Sequence, residues 1–409
     1  MKYLKITSKI LIIFLISFIF QISSFASSYI WSTLDLSMPT SSTLSNENID
    51  DSSNPLNLDC DSAILIEQNS GQILYSYNCH NQLRPASVTK LMSILLIMEA
   101  LENGKISYET KIPCSENAAS MGGSQIWLDP TESLTVDEML KAICIVSAND
   151  CVTAMAEYLG GTEENFVKMM NDKAKELGMN DTTYKNCHGI DEEGHVTSSY
   201  DISILSKELL NKYPEITKYT TIWNDTLRDG KSELVNTNKL VRYYNGCTGL
   251  KTGSTSLALF NLSASATRDN LALIAVIMKA PTSALRFKNA STLLDYGFDN
   301  FEYQNLLSSG DSIKTVNITK GTKSSLTAIA ESNCGHVIPK GNTVNIEQIV
   351  NIDNLSFPVK KSSIIGSVDF ILDGEVIASS NLLSDSDIDK LGVFSMNKLV
   401  FKKWLYLLR

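Results

Sequence analysis

Residues 85–101 read PASVTKLMSILLIMEAL, and the rest of the chain is best understood from this run. From Leu91 onward nearly every residue is apolar, so the segment suits a helix buried on most of its faces. Pro85 and Ser87 stand where such a helix begins. Lys90 sits at its root, three residues after Ser87, so both side chains leave the same face of one turn. Burial disfavours an ammonium and turns the amine into a base. Unpaired N–H groups and the helix dipole favour negative charge developing beside Ser87. The pair has the chemistry of a serine activated by an amine, with an oxyanion site next to it. Taken alone, Ser-Xaa-Xaa-Lys more ordinarily means an N-capping serine and a lysine snorkelling to solvent.

Two further stretches bear on that choice. Ser147-Ala148-Asn149 falls at a break between two helical patterns and offers a hydroxyl and a carboxamide from a tight turn. Lys251-Thr252-Gly253 enters a β-rich run, where the glycine removes the side chain that would keep a ligand off the backbone. Each alone also fits an ordinary turn or strand. In chain order the three form S-x-x-K, S-x-N and K-T-G, the motif set of the penicillin-binding and serine β-lactamase superfamily.

The match extends beyond the motifs. RPASVTKLMS, GGSQIWL, VSANDCVTAMAEYLGG, EEGHVTSSYD, VNTNKL, GCTGLKTGST and LLDYGF resemble the low-molecular-mass, serine-type D-alanyl-D-alanine carboxypeptidases over about residues 59–300. The resemblance implies that Ser87 forms the acyl-enzyme, Lys90 takes its proton, and Ser147 relays a proton to the leaving D-alanine. It implies that Asn149 holds the acyl chain's amide and that Lys251, Thr252 and Gly253 receive the substrate carboxylate. The N–H groups of Ser87 and Ser254 would form the oxyanion hole, and Arg286 would help place the carboxylate. The partners so implied are a peptidoglycan stem peptide ending in D-Ala-D-Ala and, as covalent inhibitors, β-lactams. No metal or organic cofactor is expected. A serine β-lactamase and a catalytically silent wall-binding homologue remain as alternatives. A class A β-lactamase needs an extra glutamate for deacylation, and no clear Glu-x-x-Leu-Asn stretch lies between the second and third motifs.

The pattern around these motifs predicts an α+β fold. SAILIEQNSGQILYSYN (62–78) suits a hairpin about an Asn-Ser-Gly turn, and LALFNLSASATRDNLALIAVIMKA (257–280) a second about Arg-Asp-Asn. Between them TVDEMLKAICIV carries a capping box, Thr135 with Glu138, and TEENFVKMMNDKAKELGM is amphipathic and ended by glycine. The simplest packing is one antiparallel sheet built from both ends of residues 59–300, with a helix from TSALRFKNASTLLDYGF closing it and a helical subdomain alongside. Short β-type runs then predict a small all-β domain over 301–385.

The remaining segments speak to location. Lys2, Lys5 and Lys9 precede the apolar ILIIFLISFIF (10–20), and Ser24-Phe25-Ala26 offers a cleavage site. Residues 1–26 therefore suit a signal peptide, with an uncleaved anchor as the alternative, and either exports the chain. The Ser-, Asn- and Asp-rich residues 27–58 suit a disordered linker. FSMNKLVFKKWLYLLR (394–409), basic and aromatic, suits an amphipathic helix over 390–409 lying on the membrane at the outer face of the cell. Docking of that helix onto the β domain is the alternative. The formal net charge of −10 argues against nucleic-acid binding. Among eight cysteines, Cys60 and Cys79 flank the first hairpin and are the best candidate disulfide, whereas Cys144 and Cys151, about 10 Å apart if helical, are a poor pair.

Overall fold

The computed structural model describes residues 51–392 except Lys320, Asn342 and Thr343. The expected signal segment and nearly all of the C-terminal amphipathic segment lie outside the described residues.

Alternating side chains build the central sheet. β1 (Ser62–Glu67) and β2 (Ile73–Tyr77) form the first hairpin, and β3 (Cys247–Thr255), β4 (Leu259–Arg268) and β5 (Leu271–Ala280) follow from the far end of the domain. The antiparallel order is β2-β1-β5-β4-β3. β1 and β5 lie in register from Ser62 opposite Met278 to Glu67 opposite Leu273, which stitches the two ends together.

Period-two alternation sends alternate residues to two different cores. Ala63, Leu65, Leu262, Leu273 and Ile277 face α6 (Ser283–Asn300), where Ala290, Leu293, Leu294 and Phe298 complete that layer. Gly297 lets the helix approach closely, since a Cβ there would stand 2.5 Å from Leu273 Cδ1. Ile64, Ile66, Ile274, Val276 and Met278 face the helical side. That side contains α1 (Lys90–Glu102), α2 (Val136–Ile145), α3 (Asn149–Gly160), α4 (Glu163–Glu176) and α5 (Ser199–Lys212). The Thr135–Glu138 capping box at the start of α2 is formed.

A second, all-β region follows, with a core of its own around Leu326, Ala328, Ile365, Val368, Phe370 and Leu382. β6 (Phe301–Leu307) pairs with β9 (Cys334–Pro339). β7 (Ser312–Asn317), β8 (Ser325–Ala330), β10 (Glu347–Ile352), β11 (Ile364–Leu372) and β12 (Glu375–Ser384) form a sheet of order β7-β8-β12-β11-β10. The Gln72 carboxamide joins the two regions, accepting from Val337 N and donating to Val337 O, each at 3.2 Å. Among the described residues no helix is long and apolar enough to cross a membrane.

Three expectations need correction. Cys60 and Cys79 are free thiols, as are the other six cysteines. Cys79 belongs to the core on the helical side of the sheet, whereas Cys60 packs against the core on the α6 side. The end of the expected linker is ordered: Leu58 is buried, Tyr75 Oη donates to Asn54 Oδ1 at 3.0 Å, and the Asp51 carboxylate accepts from Cys79 N at 3.0 Å. Past residue 385, the expected limit of the β region, the chain stays in that layer: Val359 bridges Ile388, and Gly321 bridges Lys390.

Candidate active site

Ser87 lies on a 3₁₀ turn, Ala86–Thr89, that runs directly into α1. The expected uniform α-helix is tighter here, and 3₁₀ geometry eclipses residues three apart. That alignment brings Lys90 Nζ to 2.9 Å from Ser87 Oγ. The turn is entered through Ala86 at φ +48°, a left-handed conformation that costs an L-residue energy. Ser87 is half-buried and Lys90 is fully buried.

Lys90 donates to three acceptors. Besides Ser87 Oγ these are Asn149 Oδ1 at 2.6 Å and His188 O at 2.7 Å. Burial pushes the amine well below the usual lysine range, and the Lys251 cation pushes it further the same way. Lys251, also fully buried, is lowered to about 7, chiefly by desolvation. Its Nζ donates to Thr252 O at 2.9 Å. Burial of both amines, with the Lys251 cation acting on Lys90 and the Arg286 guanidinium on Lys251, favours a neutral Lys90 base.

Ser147 sits between α2 and α3 at φ +65°. It is 3% exposed, and its hydroxyl has no hydrogen-bond partner. Asn149 opens α3 at 4% exposure. Its Nδ2 donates to Gly122 O at 2.7 Å, which turns Oδ1 toward Lys90.

β3 forms the opposite wall. Thr252 Oγ1 shares a 2.7 Å hydrogen bond with Thr237 Oγ1. At Gly253 the strand presses against the turn that carries Ser87: a Cβ there would lie 2.7 Å from Pro85 O and 3.0 Å from Ser87 N. Ser254, the next residue, is exposed. Arg286 comes from α6 and is 6% exposed. Its Nη1 donates to Gly253 O and Asn261 O at 3.2 Å each, so it touches the backbone of the wall. Burial lowers its guanidinium to about 10.

One contributor escaped sequence reasoning. The segment Asn186–Ile190 supplies the His188 carbonyl to Lys90, and Gly189 lies against the Ala86 backbone at φ +90°. A Cβ at Gly189 would fall on the Ala86 carbonyl. The sequence signal was a single glycine in a loop, almost a hundred residues from the lysine it serves.

The family profile of D-alanyl-D-alanine carboxypeptidases matches residues 49–282, and that of the penicillin-binding protein 5 C-terminal domain matches residues 301–390. D-alanyl-D-alanine carboxypeptidase DacF of Bacillus subtilis strain 168 is 43% identical over 348 residues, covering 84% of this chain and 89% of that protein. Penicillin-binding protein 5 from Haemophilus influenzae superposes with a TM-score of 0.70 at 32% identity, over 83% of this chain and all of the other. Penicillin-binding protein D2 from Listeria monocytogenes in its ampicillin-bound form superposes at 0.56 with 29% identity, over 60% of this chain and all of the other. With more than half its length matched by one family profile and most of it aligned to DacF, the chain belongs to the D-alanyl-D-alanine carboxypeptidase family.

Proposed function

We propose that this protein removes the terminal D-alanine from peptidoglycan stem peptides ending in D-Ala-D-Ala, through an ester on Ser87. The observation that supports it is the buried Lys90 amine, 2.9 Å from Ser87 Oγ with two carbonyl oxygens as its other acceptors. A neutral amine has two N–H bonds for Asn149 Oδ1 and His188 O, which leaves its lone pair for the Ser87 hydroxyl.

In this reading Ser87 Oγ attacks the carbonyl carbon of the D-Ala–D-Ala bond while its proton passes to Lys90. The N–H groups of Ser87 and Ser254 hold the oxyanion, and each such donor contributes about 10²–10³-fold. The unpartnered Ser147 hydroxyl relays a proton to the amide nitrogen, the C–N bond breaks, and D-alanine leaves. Asn149 holds the acyl chain's amide. Lys251 and Thr252 receive the substrate carboxylate, Gly253 lets the strand lie close against the Ser87 turn, and Arg286 supports them through the Gly253 carbonyl. Water then adds to the ester with Lys90 as base, the ester C–O bond breaks, and Ser87 Oγ regains its proton. A β-lactam carbonyl enters the same first step, the ring opening onto Ser87.

The same reading extends to location. Residues 1–26 export the chain, residues 301–385 act as a spacer, and residues 390–409 rest in the headgroup region at the outer face of the cytoplasmic membrane. Co-sedimentation with anionic liposomes should be lost when residues 390–409 are removed; equal binding with and without them refutes the anchor.

The catalytic assignment is tested by intact-mass spectrometry after penicillin treatment, together with D-alanine release from a D-Ala-D-Ala peptide. One adduct per chain on the Ser87 peptide and sustained peptide turnover are expected. An adduct that survives Ser87→Ala overturns the assignment, and fast β-lactam turnover without peptide turnover supports a β-lactamase instead.

A further inference from the structure

Asp150 is wholly buried beside Asn149, and no step above uses it. Its Oδ2 accepts from Ile126 N at 3.1 Å and Leu128 N at 3.0 Å, while Oδ1 accepts from Cys151 N at 2.9 Å. The carboxylate thus ties the arm of residues 122–128 to the first turn of α3. The same arm grips Asn149 twice. Gly122 O accepts from Nδ2 at 2.7 Å, and Ser124 O accepts from the backbone N–H at 2.7 Å. With Nδ2 committed to the arm, the carboxamide turns Oδ1 to Lys90.

The outer side of the arm is held separately. Arg228 Nη1 donates to Ile126 O at 2.8 Å and Nη2 to Trp127 O at 3.3 Å, and an ion pair with Glu132 at 2.6 Å fixes the guanidinium. At the tip Trp127 is 76% exposed with φ +54°, so its own side chain does not hold the arm down. A left-handed non-glycine residue persists only where its surroundings enforce it. Here the buried carboxylate on one side and the guanidinium on the other enforce it.

We propose that Asp150 is a positioning residue for acylation, acting through the 122–128 arm on the Asn149 carboxamide and so on the Lys90 amine. The proposal rests on the serine–lysine reading given above. A carboxylate has acceptor capacity for all three N–H groups, whereas a carboxamide in its place would bring one oxygen and an NH₂ facing a donor. Asp150→Asn therefore keeps the volume and releases part of the arm.

The test uses full-length Asp150→Asn, Arg228→Ala and the double variant. Acylation by a fluorescent penicillin is resolved into the non-covalent binding constant and the first-order step, and hydrogen–deuterium exchange is followed peptide by peptide. The first-order constant is expected to fall on the order of 10²-fold in Asp150→Asn, the scale of a misplaced reacting geometry, with little change in binding. Arg228→Ala should fall less. The double variant should lose less than the product of the two, because both act on one arm. Exchange should quicken over residues 122–128 and not in α1 or β3. Acylation of Asp150→Asn within about twofold of wild type, well short of the fall expected from misplaced reacting groups, overturns the proposal. So does slowed acylation without faster exchange in the arm, or with faster exchange throughout the fold. Ser87→Ala, run alongside, bears on the serine–lysine reading alone: labelling that survives there refutes that reading whatever Asp150→Asn does.

Discussion

Gly189→Ala offers a sharp test of how the turn that carries Ser87 is held. The residue has φ +90°, and an added Cβ would fall on the Ala86 carbonyl and lie 2.9 Å from Ser87 N. Two costs follow. The left-handed backbone disfavours an L-residue by about 1–2 kcal/mol. Overpacking against a fixed backbone adds about 1–3 kcal/mol. Gly178→Ala separates them, because Gly178 has φ +74° with nothing within 4 Å of a Cβ. Urea unfolding should show Gly178→Ala losing about the backbone term alone and Gly189→Ala roughly 2–5 kcal/mol. Because the clash lies beside Ser87, the folded Gly189→Ala fraction should also acylate on the order of 10²-fold more slowly, as a displacement of about 1 Å at reacting groups does. Gly178→Ala should acylate like wild type. Equal stability losses in the two variants, or normal acylation of folded Gly189→Ala, would refute the idea that the Asn186–Ile190 segment sets the turn.

Lys90→Arg places a permanently charged guanidinium where the reaction needs a neutral base, so penicillin acylation should fall by about 10²–10⁴-fold, the worth of a general base; stopped-flow labelling at near wild-type rate would leave Lys90 a structural role only. Lys251 makes a prediction about stability and pH. Its folded pKa of about 7 lies below the ordinary lysine value of 10.5, so between these values the unfolded chain binds more protons and stability rises with pH. Denaturant titrations from about pH 7 to about pH 9, inside that window, should show wild type gaining on Lys251→Met, and parallel pH profiles would show that Lys251 stays charged in the fold.

Much of the chemistry was legible because it is local. Ser87 and Lys90 are three residues apart, so backbone geometry alone brings them together, and the apolar run that follows says that the lysine is buried. Strand alternation at 62–77 and 257–280 is likewise a property of neighbours, as is the Thr135–Glu138 capping box. The S-x-N and K-T-G stretches could be recognised as motifs, but nothing in their composition says that they face Ser87. That convergence is a property of the sheet. β3 reaches the Ser87 turn only because β1 and β5 join the two ends of the domain. The cysteines show the limit most plainly: flanking one hairpin suggested a pair, yet the chain beyond the strands carries Cys60 and Cys79 to different cores. Arg286 could be picked out, but its contact with the Gly253 carbonyl depends on how α6 lies across the sheet. The His188 carbonyl had no local signature, because a backbone oxygen looks the same in every residue, and the stretch GGSQIWL gave no hint that Asp150 holds it. Local sequence determines which side chains can do chemistry; only long-range packing decides which backbone groups surround them, because that depends on segments far apart in the chain.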